Sequence, residues 1–277
     1  MKSMIDSTQA AVRSDARFSF ARMPDGTRLR YFRQGPPDAP AILLLHGLSD
    51  SSFSFSRILP LVPPQVQAIA LDQRGHGESD RPQSGYTLTD LAWDALNVLE
   101  AAHVDRALVV GHSMGTYVAR VMAALAPHRV TSLVLIDPGP GTNAVLHELW
   151  GVVSQFKDPV DPAFVRDFQE SCIHRPVPPE FMDLVVQESL KLPAAVWRAA
   201  LAGMMAYQPV EDRITCPTLV LGGDRDAVFS VDEMNAVARG IKDGRVRTLE
   251  GIGHTPHWED PRTAIGILLE ELAAAQI

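Results

Sequence analysis

A serine-containing turn between a strand-like and a helix-like segment constrains this chain more than any other feature. Residues 107–110 form an apolar run, residues 111–115 have the sequence Gly-His-Ser-Met-Gly, and a helix-like run follows over 116–122. In that setting G-x-S-x-G is typical of a sharp strand-to-helix turn that exposes its serine. A side chain at either glycine would collide with the neighbouring strand and helix. Backbone N–H groups at the helix start can stabilise negative charge. We therefore predict that Ser113 is a nucleophile.

A serine hydroxyl needs a base that takes its proton and a third group that holds the base. Chains with this turn carry the three in the order serine, acid, histidine. His254 lies in a loop after the strand-like residues 246–249, and the two glycines before it allow the loop to bend over the sheet. His257 is the competitor, but it follows Pro256 and fits the start of a packed segment. We predict His254 as the base and His257 as a structural or pocket-lining residue.

Three aspartates are candidates for the acid. Asp224 and Asp226 follow the strand-like run 218–221, and Asp137 follows the strand-like run 133–136. Open α/β sheets place their sites at the carboxyl ends of the strands, which fits all three. An aspartate two residues from another can also simply hold a turn. The residues alone leave the choice open.

Composition and charge exclude several classes of function. The chain has 277 residues, which fits one α/β domain with an insertion, and its formal net charge is −8. That charge gives no reason to expect nucleic acid or an anionic membrane as a partner, so we expect a small-molecule substrate. The two cysteines have no ligand-like spacing, and we expect neither a disulfide framework, a metal nor a cofactor.

Residues 1–15 are polar and do not resemble a secretion signal, and no apolar run approaches the ~20 residues of a membrane span. We expect a cytoplasmic protein and make no prediction of its oligomeric state.

Short apolar runs alternate with helix-like segments along most of the chain. Asp25-Gly26 predicts a hairpin between the first two strands. Continuous apolar runs are typical of a parallel sheet covered on both faces, and six are present: 41–45, 66–71, 107–110, 132–136, 218–221 and 246–249. Thr87 and Asp90 predict the start of one helix, and Asp260-Pro261 predicts the start of the last. This alternation indicates a doubly wound α/β domain.

Residues 139–210 interrupt the alternation. They contain no strand-like run, prolines divide them into helix-length pieces, and their aromatic and methionine side chains make those pieces apolar. We predict a helical lid here that roofs a pocket for an apolar acyl or alcohol group. The predicted organisation is a loose tail over 1–15, a core over 16–138 and 211–277, and a lid over 139–210. The pocket candidates are His46, Trp150, Trp197, Met205 and His257.

Five motifs in the same order resemble the α/β-hydrolase superfamily, in its lid-bearing branch, over nearly the whole chain. They are the Ser113 turn, His46-Gly47 after the apolar run 42–45, residues 71–79 (LDQRGHGES), residues 222–226 (GGDRD), and Gly253-His254. The resemblance implies a mostly parallel sheet with the lid inserted after the sixth strand. It aligns the acid with Asp226, which leaves Asp137 as the runner-up and makes Asp224 a turn or supporting residue.

The same resemblance makes the turn at His46-Gly47 one half of an oxyanion hole. The donors would be the backbone N–H groups of Leu48 and Met114, because the tetrahedral intermediate carries a full negative charge on oxygen. His46 itself fits a role in holding the turn better than a role in chemistry. Arg74 and His76 of the 71–79 motif fit structural roles in a tight loop.

These residues predict a serine hydrolase that cleaves a carboxylic ester or lactone through an acyl-enzyme. Relatives that act on haloalkanes or epoxides resemble this fold but carry Asp where Ser113 stands. Hydrolysis of a carbon–carbon bond is an alternative, although that branch usually has Trp after the catalytic histidine and this chain has Thr255. A ligand receptor that retains the three residues is a further alternative.

Overall fold

An eight-stranded, mostly parallel sheet runs through the computed structural model, which describes residues 15–275. The predicted tail at 1–15 lies outside the described residues except for Asp15. The strand order is β1-β2-β4-β3-β5-β6-β7-β8, with β1–β2 and β2–β4 antiparallel and the other pairs parallel. The doubly wound fold is therefore confirmed. The strands are β1 (Arg17–Arg22), β2 (Arg28–Gln34), β3 (Ala41–Leu45), β4 (Gln67–Leu71), β5 (Ala107–His112), β6 (Val130–Ile136), β7 (Thr218–Gly223) and β8 (Gly244–Leu249).

Helices connect the parallel strands and cover both faces of the sheet. Thr87 and Asp90 form the predicted capping box at the start of the first helix, and Asp260 caps the last one ahead of Pro261. The helices are α1 (Leu88–Ala101), α2 (Met114–Leu125), α3 (Ala144–Val153), α4 (Pro162–Ser171), α5 (Pro179–Ser189), α6 (Ala194–Met205), α7 (Val231–Gly240), α8 (Pro256–Glu259) and α9 (Pro261–Ala274).

The core lies in two layers because successive side chains of a strand point to opposite faces. In β3, Leu43 and Leu45 pack with α1 and α2, whereas Ile42 and Leu44 pack with α9 on the other face. Strands β3 to β7 are buried almost throughout, as the continuous apolar runs predict. The sheet is thus a rigid platform whose strand ends can position side chains.

Strand β8 departs from the expectation of a buried strand. It is the last strand of the sheet, and its four central residues are exposed. Arg245 and Arg247 of β8 pair with Glu271 and Glu270 of α9, at 2.7 and 2.8 Å. Such charges keep an edge strand from pairing with another chain. Strand β8 is therefore not covered on both faces, unlike the strands in the middle of the sheet.

Four helices, α3 to α6, lie between β6 and β7, in the region for which the sequence predicts helices without strands. Their apolar side chains pack together and onto the core, and Trp197 of α6 is fully buried against Phe156, Phe164 and Phe168. We call α3 to α6 the helical insertion. No helix within residues 15–275 is both long enough and apolar enough to cross a membrane.

The strand-to-helix turn gives a prediction about stability. A Cβ on Gly115 would lie 2.1 Å from the carbonyl oxygen of Leu45, whereas one on Gly266 in α9 would meet nothing within 4 Å. We expect Gly115→Ala to lower the free energy of unfolding by about 2–4 kcal/mol, because backbone must move. Gly266→Ala should raise it by up to about 1 kcal/mol through helix propensity. Urea unfolding of both variants tests this, and equal effects would contradict the packing argument.

Candidate active site

Ser113 occupies the sharp turn between β5 and α2. Its backbone has φ 49° and ψ −115°, a conformation that costs a non-glycine residue about 1–3 kcal/mol. The Ser113 N–H donates to the carbonyl of Ile136 at 3.0 Å, which ties the turn to the end of β6. A Cβ on Gly111 would lie 2.3 Å from the carbonyl oxygen of Gly115. The two glycines of the pentapeptide are thus required by close approach of the chain to itself and to β3.

The turn after β3 lies beside the start of α2, because Gly115 packs directly against the carbonyls of Leu45 and His46. His46 is fully buried, and burial lowers its pKa to about 4, so the ring is neutral. Its Nε2 accepts from the N–H of Gln73 at 3.0 Å, so its Nδ1–H donates to the carbonyl of Gly47 at 2.8 Å. His46 therefore holds the backbone of the turn that carries Leu48.

The backbone of His254 is held from two sides. Its N–H donates to the carbonyl of Cys172, the residue after α4, at 2.9 Å. Its carbonyl accepts from Nε2–H of His112, the second residue of the pentapeptide, also at 2.9 Å. Burial lowers the pKa of His112 well below its usual range, so this ring is neutral. The helical insertion and the serine turn thus fix the histidine loop together.

The ring of His254 is bonded to Asp226. Nδ1 and the Asp226 carboxylate lie 2.9 Å apart, both side chains are buried, and Val228 N–H donates to the second carboxylate oxygen at 2.7 Å. Burial opposes ionisation of Asp226, but His254 and two backbone N–H groups outweigh it, so the pKa of Asp226 lies below its usual range. With the proton held on Nδ1, Nε2 keeps the lone pair that a base needs.

The two other candidate acids have different surroundings. Asp224 accepts from Gly251 N–H at 2.6 Å, so it supports the loop that leads to His254. Asp137 is fully buried and accepts from Gly223 N–H at 3.0 Å, and one of its oxygens lies within 4.8 Å of an Asp226 oxygen. Burial and the charge of Asp226 raise the pKa of Asp137 well above its usual range. Asp137 is therefore neutral and can donate its proton to the Asp226 carboxylate.

Asp137, Asp226 and His254 each place one oxygen or nitrogen within 4.8 Å of the other two, a spacing that could in principle suit a metal ion. Direct contacts already link the three side chains. His254 is hydrogen-bonded to Asp226, and the carboxyl group of Asp137 interacts with that of Asp226. One proton shared between two carboxyl groups fits this donor set.

Ser113 and His254 both line a cavity of about 460 Å³ at the carboxyl ends of the strands. Its apolar wall comes mainly from the helical insertion, and includes Val145, Leu149, Val152, Phe168, Met204 and, from α8, Trp258. Within the described chain, the Ser113 hydroxyl is not hydrogen-bonded to His254. Such bonds are often long without substrate and tighten when it binds. Leu48 lies in the same wall, and Met114 begins α2 directly after Ser113.

The five predicted pocket residues do not line this cavity, and that part of the prediction needs correction. His46 is committed to its turn, and Trp197 is buried among aromatic side chains inside the insertion. Trp150 and Met205 are partly buried against the core beside residues that do line the cavity. His257 is fully buried and contacts Ser54 Oγ at 3.1 Å. For Trp150 and Met205 the adjacent residues Leu149 and Met204 line the cavity instead, so the prediction of these two helix faces was wrong by one residue.

Sequence reasoning missed Glu259, which joins the histidine loop to the insertion. Its carboxylate accepts from the N–H groups of Gly253, His174 and Arg175 at 2.6–3.0 Å. Asp50 and Gln169, which lie in the cavity wall, were also missed. For Asp50 a signal was available, because it follows the Leu48 turn by only two residues.

Asp137 gives a prediction about the pH dependence of stability. Folding raises the pKa of Asp137, so the stability that its neutral carboxyl contributes is fully present below ~3.9, the pKa in the unfolded chain. That contribution to the free energy of unfolding is lost as the pH rises through the pKa of the folded state. The amide in Asp137→Asn does not titrate and can keep both contacts. We expect the stability of Asp137→Asn relative to wild type to increase from pH 5 to pH 8, by up to about 1.4 kcal/mol per pH unit. Urea unfolding at each pH tests this, with Asp38→Asn in an exposed loop as the control. A constant difference would contradict a neutral Asp137.

Comparisons with known proteins agree with this architecture. A profile of the alpha/beta hydrolase fold family matches residues 40–181, just over half of the chain. A relative from Variovorax paradoxus described as a putative carbamate hydrolase, RutD, is 30% identical over 82% of this chain and 89% of its own. The 2-(acetamidomethylene)succinate hydrolase of Mesorhizobium japonicum is 37% identical over 36% of each chain. The esterase RhEst1 from Rhodococcus shares the fold, with a TM-score of 0.82, 24% identity, and coverage of 94% and 99%. The chain belongs to the α/β-hydrolase family and is a hydrolase of that fold.

Proposed function

We propose that the protein is a serine hydrolase that cleaves carboxylic esters or lactones of small, largely apolar substrates through an acyl-enzyme. The observation that carries the proposal is the buried bond between His254 and Asp226 at the wall of the cavity that Ser113 also lines. A nucleophile, a base and a group that orients the base are the parts that acyl transfer needs.

In the proposed reaction, the Ser113 oxygen attacks the substrate carbonyl as its proton passes to His254 Nε2. The backbone N–H groups of Leu48 and Met114 stabilise the oxyanion, and two such donors are worth several kcal/mol each. The protonated His254 then gives its proton to the leaving oxygen, which completes the acyl-enzyme. Water attacks the ester with His254 again as base, and the acid product leaves as Ser113 regains its proton.

Asp226 has two tasks in this scheme. Its carboxylate holds the proton on Nδ1, and its charge stabilises the imidazolium that forms during each step. Asp137 is a positioning residue, because its neutral carboxyl supports Asp226 from behind without touching the substrate. The lowered pKa of Asp226 keeps it ionised near neutral pH.

The cavity supports an apolar substrate rather than a charged one. Helices α3, α4 and α6 supply nine of its 20 lining residues, which is consistent with the insertion acting as a lid. A volume of about 460 Å³ fits a ligand of modest size. Ser113 itself argues against the epoxide and haloalkane chemistry of those relatives that have Asp at this position.

The first test compares wild type with Ser113→Ala and His254→Ala on a short p-nitrophenyl ester. We expect wild type to turn over many times and each variant to lose about 10³-fold or more in kcat, because the two residues act as one unit. A serine-directed phosphonate should add one label, at Ser113, by intact-protein mass spectrometry. A single turnover that stops at a stable adduct would favour a receptor, and full activity in folded Ser113→Ala would exclude this nucleophile.

The second test concerns the acid. Asp226→Asn should lower kcat by a factor on the order of 10⁴, because the amide favours the wrong tautomer of His254. Asp224→Asn is the matched control and should change kcat little, since Asp224 contacts the Gly251 N–H and the exposed Arg225 side chain but not His254. Asp137→Asn should be mild, and the double variant Asp137→Asn/Asp226→Asn shows whether Asp137 takes over. A large loss in Asp137→Asn alone would move the acid to the end of β6.

A further inference from the structure

Asp50 is a buried carboxyl group in the wall of the catalytic cavity and takes no part in the proposed reaction. It is 5% exposed and lies two residues after Leu48. One of its oxygens accepts from Ser54 Oγ at 3.1 Å, and the other accepts from Gln169 Nε2 at 3.2 Å. A Cβ on Gly47 would lie 3.3 Å from the first of these oxygens. The carboxyl is thus fixed against the turn that would bind the oxyanion.

The carboxyl groups that line the cavity have no lysine or arginine among the described lining residues to balance them. Asp50 and Glu148 line it, whereas none of its lining residues within 15–275 is a lysine or an arginine. Two histidines line it as well, and His112 is neutral because burial lowers its pKa. An anionic group inside the cavity would lose its hydration without gaining a cationic partner, which costs several kcal/mol in a buried site.

We propose that Asp50 is a specificity-determining residue that makes the cavity select uncharged substrates over substrates that carry a carboxylate or phosphate group. The inference rests on the proposed function, because it concerns the substrate of the same site. The proposed preference for uncharged substrates differs from the substrate named for the Mesorhizobium relative, because a succinate carries carboxylate groups. That relative aligns with only about a third of this chain.

The strength of the selection depends on whether Asp50 is ionised. Burial raises the pKa of Asp50 to about 7, against the opposing effect of its bonds to Ser54 and Gln169. The carboxyl therefore gains its charge as the pH rises through about 7, and its repulsion of anions grows over the same range. The titratable groups facing it or its serine neighbours are His112, with Nδ1 at 3.8 Å, His254, Cys172, His257 and Glu188.

The experiment uses pairs of esters that differ in charge but hardly in size. Mono-4-nitrophenyl glutarate and its terminal amide place the difference on the acyl side, and 4-acetoxybenzoate and 4-acetoxybenzamide place it on the alcohol side. The quantity measured is the ratio of kcat/KM for the uncharged ester to that for the anionic ester. Protonation of His254 affects both members of a pair equally and cancels in this ratio.

In wild type we expect the ratio to rise by about tenfold or more between pH 5.5 and pH 8.5 for at least one pair, because two like charges in a desolvated cavity repel. In Asp50→Asn the ratio should fall toward its low-pH value and lose its pH dependence. Asp38→Asn makes the same chemical change in an exposed loop that does not line the cavity, and this matched control should leave the ratio unchanged.

A ratio that stays near one for both pairs in wild type, or a pH-dependent ratio that survives in Asp50→Asn, would overturn the role of Asp50. The pH series on wild type needs no variant, so it remains a valid test even where Asp50→Asn does not fold.

Failure of the proposed function has a different signature. In that case wild type turns over neither the uncharged nor the anionic esters.

Discussion

The close contact between Gly115 and the end of β3 is the constraint on which the site depends. A methyl group at Gly115 would lie 2.1 Å from the carbonyl of Leu45, so only glycine lets α2 begin this near the sheet. The same approach sets the Ser113 backbone at positive φ and brings the start of α2 beside the Leu48 turn. Strain in the turn persists because the buried strands around it do not yield. The serine and both proposed oxyanion donors follow from one packing requirement.

His254 is held by hydrogen bonds rather than by close backbone packing, because it lies in the loop between β8 and α8. Two hydrogen bonds hold the His254 backbone, one from His112 and one to Cys172, and Glu259 binds three further N–H groups nearby. Cys172 belongs to the helical insertion, so the insertion does more than cover the cavity. The insertion therefore contributes both to the cavity wall and to the order of the histidine loop.

The parts of this structure that could be predicted from sequence are those fixed by neighbours along the chain. The strands, the capping box at Thr87 and the serine turn depend on local patterns, and their positions agree with the prediction. The cavity wall depends on how α3 to α6 rotate as they pack. A rotation of about 100° separates adjacent residues of a helix, which is why Met204 lines the cavity and Met205 does not. The exposure of β8 follows from its place at the edge of the sheet, which no local pattern specifies.

Three buried carboxyl groups in and around the site, those of Asp226, Asp137 and Asp50, show how position decides what a carboxyl group does. Asp226 is ionised because His254 and backbone N–H groups surround it, whereas burial, together with the charge of Asp226, raises the pKa of Asp137 well above its usual range. Burial raises the pKa of Asp50 to about 7, and its bonds to the neutral Ser54 and Gln169 side chains only partly oppose that effect. In the proposed reaction, a negative charge at Asp50 would oppose the oxyanion bound beside Gly47, and so would a negative charge carried by the substrate. We therefore expect such a cavity to favour a substrate that is uncharged until Ser113 attacks it, because the new anion would then be the one that the proposed donors of the Leu48 turn bind.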